Sequence, residues 1–148
     1  MKRVLLAYVS ITGNTEKMAE FIAEGIRMAG CHAELKKISV VKNAEALQGY
    51  DGYVIGSPTY HRDMVEPMKT FLFLAKKGNL QGKAGGAFGS NTHSGDAAKS
   101  IFDTMEFVFK MDMVDLGPFN LKESMIDTRE GMRACQDYGK AVGEKLGS

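Results

Sequence analysis

The sequence predicts an α/β fold: a three-layer sandwich with a five-stranded parallel sheet, strand order 2-1-3-4-5, covered by helices on both faces. Three observations carry this. Short apolar runs alternate with helical-period stretches five times along the chain, which demands parallel strands joined by right-handed crossovers. The run Tyr53-Val54-Ile55-Gly56 is wholly apolar, as expected of a strand buried on both faces. Polar loops follow the first, third and fourth runs, while the second ends quietly. Ligands of such sheets bind beyond the strand C-termini, where strand order reverses. Loops on those three strands place the reversal between the first and third.

The elements follow in order. Val4–Val9 is an apolar first strand, and Ser10-Ile11-Thr12-Gly13-Asn14-Thr15 is the loop that ends it. A helix begins near Glu16, with Met18, Ala19, Ile22 and Ile26 as its apolar stripe. It stops near Ala29-Gly30, where glycine suits a C-terminal cap. Ala33–Ile38 alternates imperfectly and is charged, which marks an edge strand. Asn43–Gln48 is a short helix or turn. The apolar strand at Tyr53–Gly56 ends in the loop Ser57–Asp63. The next helix buries Met68, Phe71, Leu72 and Ala75, with Asp63 and Glu66 at capping-box spacing and Pro67 in the first turn. Lys83–Gly89 is a strand of small residues ending in the loop Ser90–Asp96. Ala97–Lys110 is a helix burying Ala98, Ile101, Met105 and Val108. Met113–Leu116 is the last strand. A closing helix starts at Asp127 or Thr128, with Met132, Cys135, Val142 and Leu146 inward.

Composition narrows the function classes. A chain of 148 residues fits one domain, 1–148. Apolar residues are 44% of the total, ordinary for a globular protein, and no run reaches the length of a membrane span. The N-terminus lacks a signal-peptide pattern, so a cytoplasmic protein is expected. The net charge of +1 carries no nucleic-acid footprint. Cys31 and Cys135 form no Cys-x-x-Cys pair, and His32, His61 and His93 are too far apart for a helical metal motif, so no metal site is expected. The ten methionines fall largely at core spacings and read as packing.

The hexapeptide Ser10–Thr15 is the chemical centre. A strand–turn–helix junction offers several backbone N–H groups to one point, and the helix terminus adds a partial positive charge. That makes an anion site, most often for phosphate. A Walker loop would end in Gly-Lys-Ser/Thr; here Thr15 stands where its lysine might have been. Hydroxyls and amides alone suit one terminal phosphomonoester, as in FMN. A hydroxyl-rich turn that only caps its helix would have the same composition.

With two further polar loops on the right strands, the sequence resembles a flavodoxin. Ser10-x-Thr12-Gly13-Asn14-Thr15 matches that family's phosphate loop, Ser57-Pro58-Thr59-Tyr60 resembles its second flavin loop, and Ser90–Asp96 falls where the third belongs. The length is similar to the short-chain type. The second and third loops are similar to the flavodoxin-like module of flavo-diiron proteins, although this chain has no room for a di-iron domain and lacks its ligand cluster.

The resemblance implies a flavodoxin-like fold and one non-covalent FMN. Ser10, Thr12, Asn14 and Thr15 would hold the phosphate, with Ile11 and Gly13 completing the loop. Tyr60 would lie against the isoalloxazine ring. Ser57, Pro58, Thr59 and His61 would line the ring and ribityl chain. Ser90, Asn91, Thr92, Ser94 and Gly95 form the third loop, toward the pyrimidine edge. His93 either covers the second ring face or faces solvent. In flavodoxins the residue after the aromatic is often glycine, whose peptide can flip on reduction; His61 predicts a costlier flip. His61 and Arg62, offset in part by Asp63, bring positive charge toward the ring and favour its reduced form. The function implied is an electron carrier between redox proteins, a monomer with a dimer left open, without catalytic residues of its own. The alternative is an NAD(P)H-dependent flavin or quinone reductase, for which the short chain leaves little sequence to build a substrate loop.

Overall fold

The computed structural model describes residues 1–147. Strand β1 (Arg3–Tyr8) is buried from Val4 onward and pairs in parallel with both β2 (His32–Lys37) and β3 (Gly52–Tyr60). Strand β3 pairs in parallel with β5 (Ala84–Asn91), and β5 with β6 (Asp112–Met113) and β7 (Phe119–Lys122). Counting β6 and β7 as one interrupted strand and leaving out the short β4 (Asp63–Met64), the order is 2-1-3-4-5, as the loop pattern predicts.

Helices α1 (Asn14–Met28) and α5 (Arg129–Leu146) pack on each other. Helices α2 (Glu66–Lys76) and α3 (Asp96–Asp103), which follow β3 and β5, lie on the opposite face, because their right-handed crossovers run across the sheet in the direction opposite to that of α1 from β1 to β2. The stripes read from the sequence are buried: Met18, Ala19, Ile22 and Ile26 on α1, and Met68, Phe71, Leu72 and Ala75 on α2. The α1–α5 contact is unusually close. A Cβ on Gly25 would overlap the Gln136 carbonyl, and one on Gly139 would overlap the Ile22 carbonyl. Thr128 caps α5, its Oγ1 accepting the Gly131 N–H at 3.0 Å. A single turn, α4 (Glu123–Ile126), precedes it.

Four elements differ from the sequence expectations. Strand β3 continues through Ser57–Tyr60, which the sequence assigns to a loop. It closes through His61 and Arg62 into a two-residue hairpin with β4. Both turn residues are left-handed, at φ 52° and 61°, the geometry of a type I′ turn. Asp63 therefore sits in β4 and does not cap α2, whose N-cap is Val65; its carboxylate accepts from the Met64 N–H and pairs with Lys69 at 2.6 Å.

The helix expected over Ala97–Lys110 changes to a π turn at Thr104–Val108. The wider turn shifts the buried stripe by one position, so Val108 is 49% exposed and Phe109 is buried in its place. The last strand, expected at Met113–Leu116, is split. Residues 114–118 loop out between β6 and β7. Tyr138 from α5 fills the gap, its hydroxyl accepting the Ala87 N–H and donating to the Gly117 carbonyl.

Candidate functional site

The loop between β1 and α1 is held by its own side chains. Ser10 Oγ accepts the Gly13 and Glu16 N–H groups at 3.1 and 3.3 Å. Gly13 turns the chain at φ 92°, a left-handed conformation that glycine adopts without a Cβ penalty. Asn14 Nδ2 donates to Thr12 Oγ1 at 3.1 Å. The N–H groups of Ile11, Thr12, Asn14 and Thr15 meet no acceptor among the described residues. Four open backbone donors at a helix start, with hydroxyls beside them, form an anion cradle. Nearby charges are turned to other tasks. Lys17 pairs with Asp127 at 2.7 Å, and Glu16 accepts the Tyr8 hydroxyl at 2.9 Å with Lys37 at 3.9 Å. Burial and then the Glu16 carboxylate push the Tyr8 hydroxyl up to about 12.

Thr15 reaches the third strand. Its Oγ1 lies 2.9 Å from Ser90 Oγ, and both side chains are buried. The first and third predicted loops are thus joined at their bases.

The second and third loops also meet. Thr59, His61 and Arg62 face Thr92, His93 and Ser94 around an open cavity of about 440 Å³. Thr59 Oγ1 accepts the Ala97 N–H of α3 at 3.3 Å. Tyr60, 40% exposed, lines a neighbouring cavity of about 540 Å³ with Ile11, His61 and Asp63. Ser57 and Pro58 are buried, and the Ser57 hydroxyl donates to the Pro58 carbonyl while accepting the Val65 N–H. Ser57 is thus a brace inside the strand. Asn91 is buried at the end of β5, and Thr92 and His93 are exposed beyond it. Gly95 lies against the Asn120 side chain, so a Cβ there would overlap it.

Four participants escape the sequence patterns. Asn120 buttresses the third loop from β7, a strand that the sequence does not place there. Tyr8 and Glu16 set the charge beside the phosphate loop through a contact eight residues apart. Lys69 holds Asp63 well below the usual carboxylate range, chiefly by its hydrogen bond. Asp63 is therefore engaged by Lys69, and Arg62 forms no ion pair among the described residues. His61 already occupies the left-handed region, so the cost expected of a flip there is carried by the folded hairpin itself.

The flavodoxin family model matches residues 6–128. The chain belongs to the flavodoxin family. A flavodoxin from the domain Archaea superposes with a TM-score of 0.90 at 28% identity, covering 99% of each chain. The flavodiiron protein of Giardia intestinalis shares the fold at 22% identity and a TM-score of 0.87, over 99% of this chain and 36% of its own. An NAD(P)H dehydrogenase (quinone) of Gluconacetobacter diazotrophicus is 31% identical over 84% of this chain and 75% of its own. One of Archaeoglobus fulgidus is 30% identical over 95% of this chain and 85% of its own. FMN is the cofactor of this flavodoxin-family chain. The donor set fits it: open N–H groups and hydroxyls at the helix start for a phosphomonoester, and Tyr60 with two short loops around a ring-sized opening. No helix is long and apolar enough to cross a membrane, and no metal-binding cluster occurs among the described residues.

Proposed function

We propose that this protein carries electrons between redox proteins on its non-covalent FMN. When bound, the flavin supplies the electron-accepting and electron-donating chemistry; the chain holds it, orients it and sets the charge around it. Ser10, Thr12, Asn14 and Thr15 would grip the phosphate with the backbone of Ile11 and Gly13. Tyr60 would lie against the ring, with Thr59 and His61 beside it. Asn91–Gly95 would border the other edge. Ser57, Pro58 and Ser90 act from beneath, as bracing rather than as ring contacts.

The observation that carries the carrier reading is the openness of the site. The cavity between residues 59–62 and 92–94 is bounded by two short loops, so one flavin edge stays within reach of another protein.

The second reading, an NAD(P)H-dependent quinone reductase, is favoured by the names of the curated relatives. His61, Arg62 and His93 around that cavity also suit an anionic nucleotide. Anaerobic stopped-flow mixing with NADPH separates the two. A carrier keeps its oxidised flavin spectrum for minutes and bleaches only when a reductase is added. Bleaching within the first seconds, followed by steady turnover with a soluble quinone, would replace the carrier with the enzyme.

A further inference from the structure

The geometry points to Ser90 as a positioning residue for the FMN phosphate, acting through Thr15 by fixing the direction of a single hydroxyl proton. The inference rests on FMN as the ligand and adds a role that the ring-side placement of the third loop does not contain.

The argument is one of proton accounting. A phosphate dianion accepts hydrogen bonds only, and each hydroxyl has one proton to give. A loop hydroxyl helps to hold phosphate only when its internal contacts use its lone pairs and leave that proton free. Ser10 meets this condition, since both its contacts are N–H donors, from Gly13 and Glu16. Thr12 meets it as well, because Asn14 donates to it. Thr15 is different. Its partner is another hydroxyl, 2.9 Å away, and either oxygen can be the donor.

The two directions have opposite consequences. If Thr15 donates to Ser90, its proton points into the core and only lone pairs face the anion. The Ser90 proton then has no other acceptor among the described residues. If Ser90 donates, its proton is satisfied by Thr15, and the Thr15 proton is free for phosphate. The second arrangement satisfies every group and polarises Thr15 as a donor. Ser90 is well built to impose it. It is 1% exposed, and its backbone lies in the sheet between Pro58 and Leu121. The hydroxyl therefore reaches Thr15 from a fixed platform, screened from water.

The test compares FMN with riboflavin, which has the same ring and ribityl chain and no phosphate. Both are titrated into apoprotein by quenching of flavin fluorescence, with wild type, Ser90→Ala, Thr15→Val and the double variant. Ser90→Ala leaves the Thr15 proton free but unpolarised and its rotor unfixed, so FMN affinity should fall about fivefold, less than in Thr15→Val, where the whole hydrogen bond is lost, with riboflavin affinity within about twofold of wild type. The double variant should bind FMN no more weakly than Thr15→Val alone, since Ser90 acts only through Thr15. Unchanged FMN affinity in Ser90→Ala overturns the proposal. So does an equal loss for both flavins in a variant whose circular dichroism matches wild type, and so does additivity in the double variant. If Ser90→Ala fails to fold, Ser90→Cys, a weak donor of similar size, carries the same comparison and should fall between serine and alanine. Wild type that binds neither flavin would instead remove the FMN assignment itself.

Discussion

The Tyr138 hydroxyl stands 3.0 Å from the Ala87 amide and takes the hydrogen bond that a continuous fifth strand would have accepted there. Strand β6 ends its pairing at Gly85 and β7 begins at Phe88. Tyr138 also donates to Gly117 at 2.8 Å and stacks on Phe119, with ring centroids 5.1 Å apart. Tyr138→Phe keeps the ring and strands the buried Ala87 N–H. It should destabilise the fold by about 1–3 kcal/mol, read as a lower urea midpoint with an unchanged slope.

Alkaline pH should unfold this protein earlier than its burial alone indicates. Burial, followed by the Glu16 and Glu34 carboxylates respectively, pushes the Tyr8 and Tyr50 hydroxyls up to about 12. Burial raises Tyr138 further still. An unfolded tyrosine releases its proton near pH 10. Between the unfolded and folded values the native state therefore holds more protons than the unfolded chain, and stability falls as pH rises. It should be fully present below about pH 9 and decline steadily from about pH 10 to 12. Tyr8→Phe should make that decline shallower in denaturation series at successive pH values.

The His61–Arg62 turn holds two side-chain-bearing residues where Asn-Gly is the favoured pair. Arg62→Gly should raise the melting stability of the apoprotein by about 0.5–1 kcal/mol. His61→Val should lower it by about 1 kcal/mol or more, because β-branched side chains tolerate positive φ poorly. Differential scanning calorimetry of both variants checks the pair of signs.

Arg62 also carries a charge that its neighbour does not cancel, since Asp63 is held by Lys69 at 2.6 Å. Removing that charge should make the second electron harder to add. Arg62→Ala should lower the potential of the fully reduced flavin by roughly 10–40 mV at low ionic strength, and by less in high salt. Spectroelectrochemical titration at two salt concentrations reads both effects; an unshifted potential would show that Arg62 lies outside the flavin's field.

Much of this was legible in the residue order because local and global signals agree. The Met18–Ile26 stripe and the apolar Tyr53–Gly56 run fix the layers. The polar loops after the first, third and fourth strands point to the strand order before any contact is known. The differences come from long-range partners. Val108 looked inward on a regular helical period, and a π turn moved it outward. Ser57–Tyr60 looked like a loop because a serine–proline pair disfavours a strand interior, yet β5 pairs with Ser57 and Pro58. The second half of the split strand was hidden because Tyr138, more than fifty residues from Ala87, supplies the missing hydrogen bond. Within the site, the Ser10–Thr15 loop announced its anion chemistry, while the Thr15–Ser90 contact spans seventy-five positions and leaves no trace in either local motif.

The glycine crossing of α1 and α5 gives the C-terminal helix the role of a jig. With no side chains between Gly139 and Ile22 or between Gly25 and Gln136, two backbones touch, and the depth at which α1 lies is machined by main-chain atoms. Its first turn ends in the anion cradle. One methyl group added at Gly139 would lift the shaft and tilt the far end, so α5 calibrates the aim of a loop far from it in sequence.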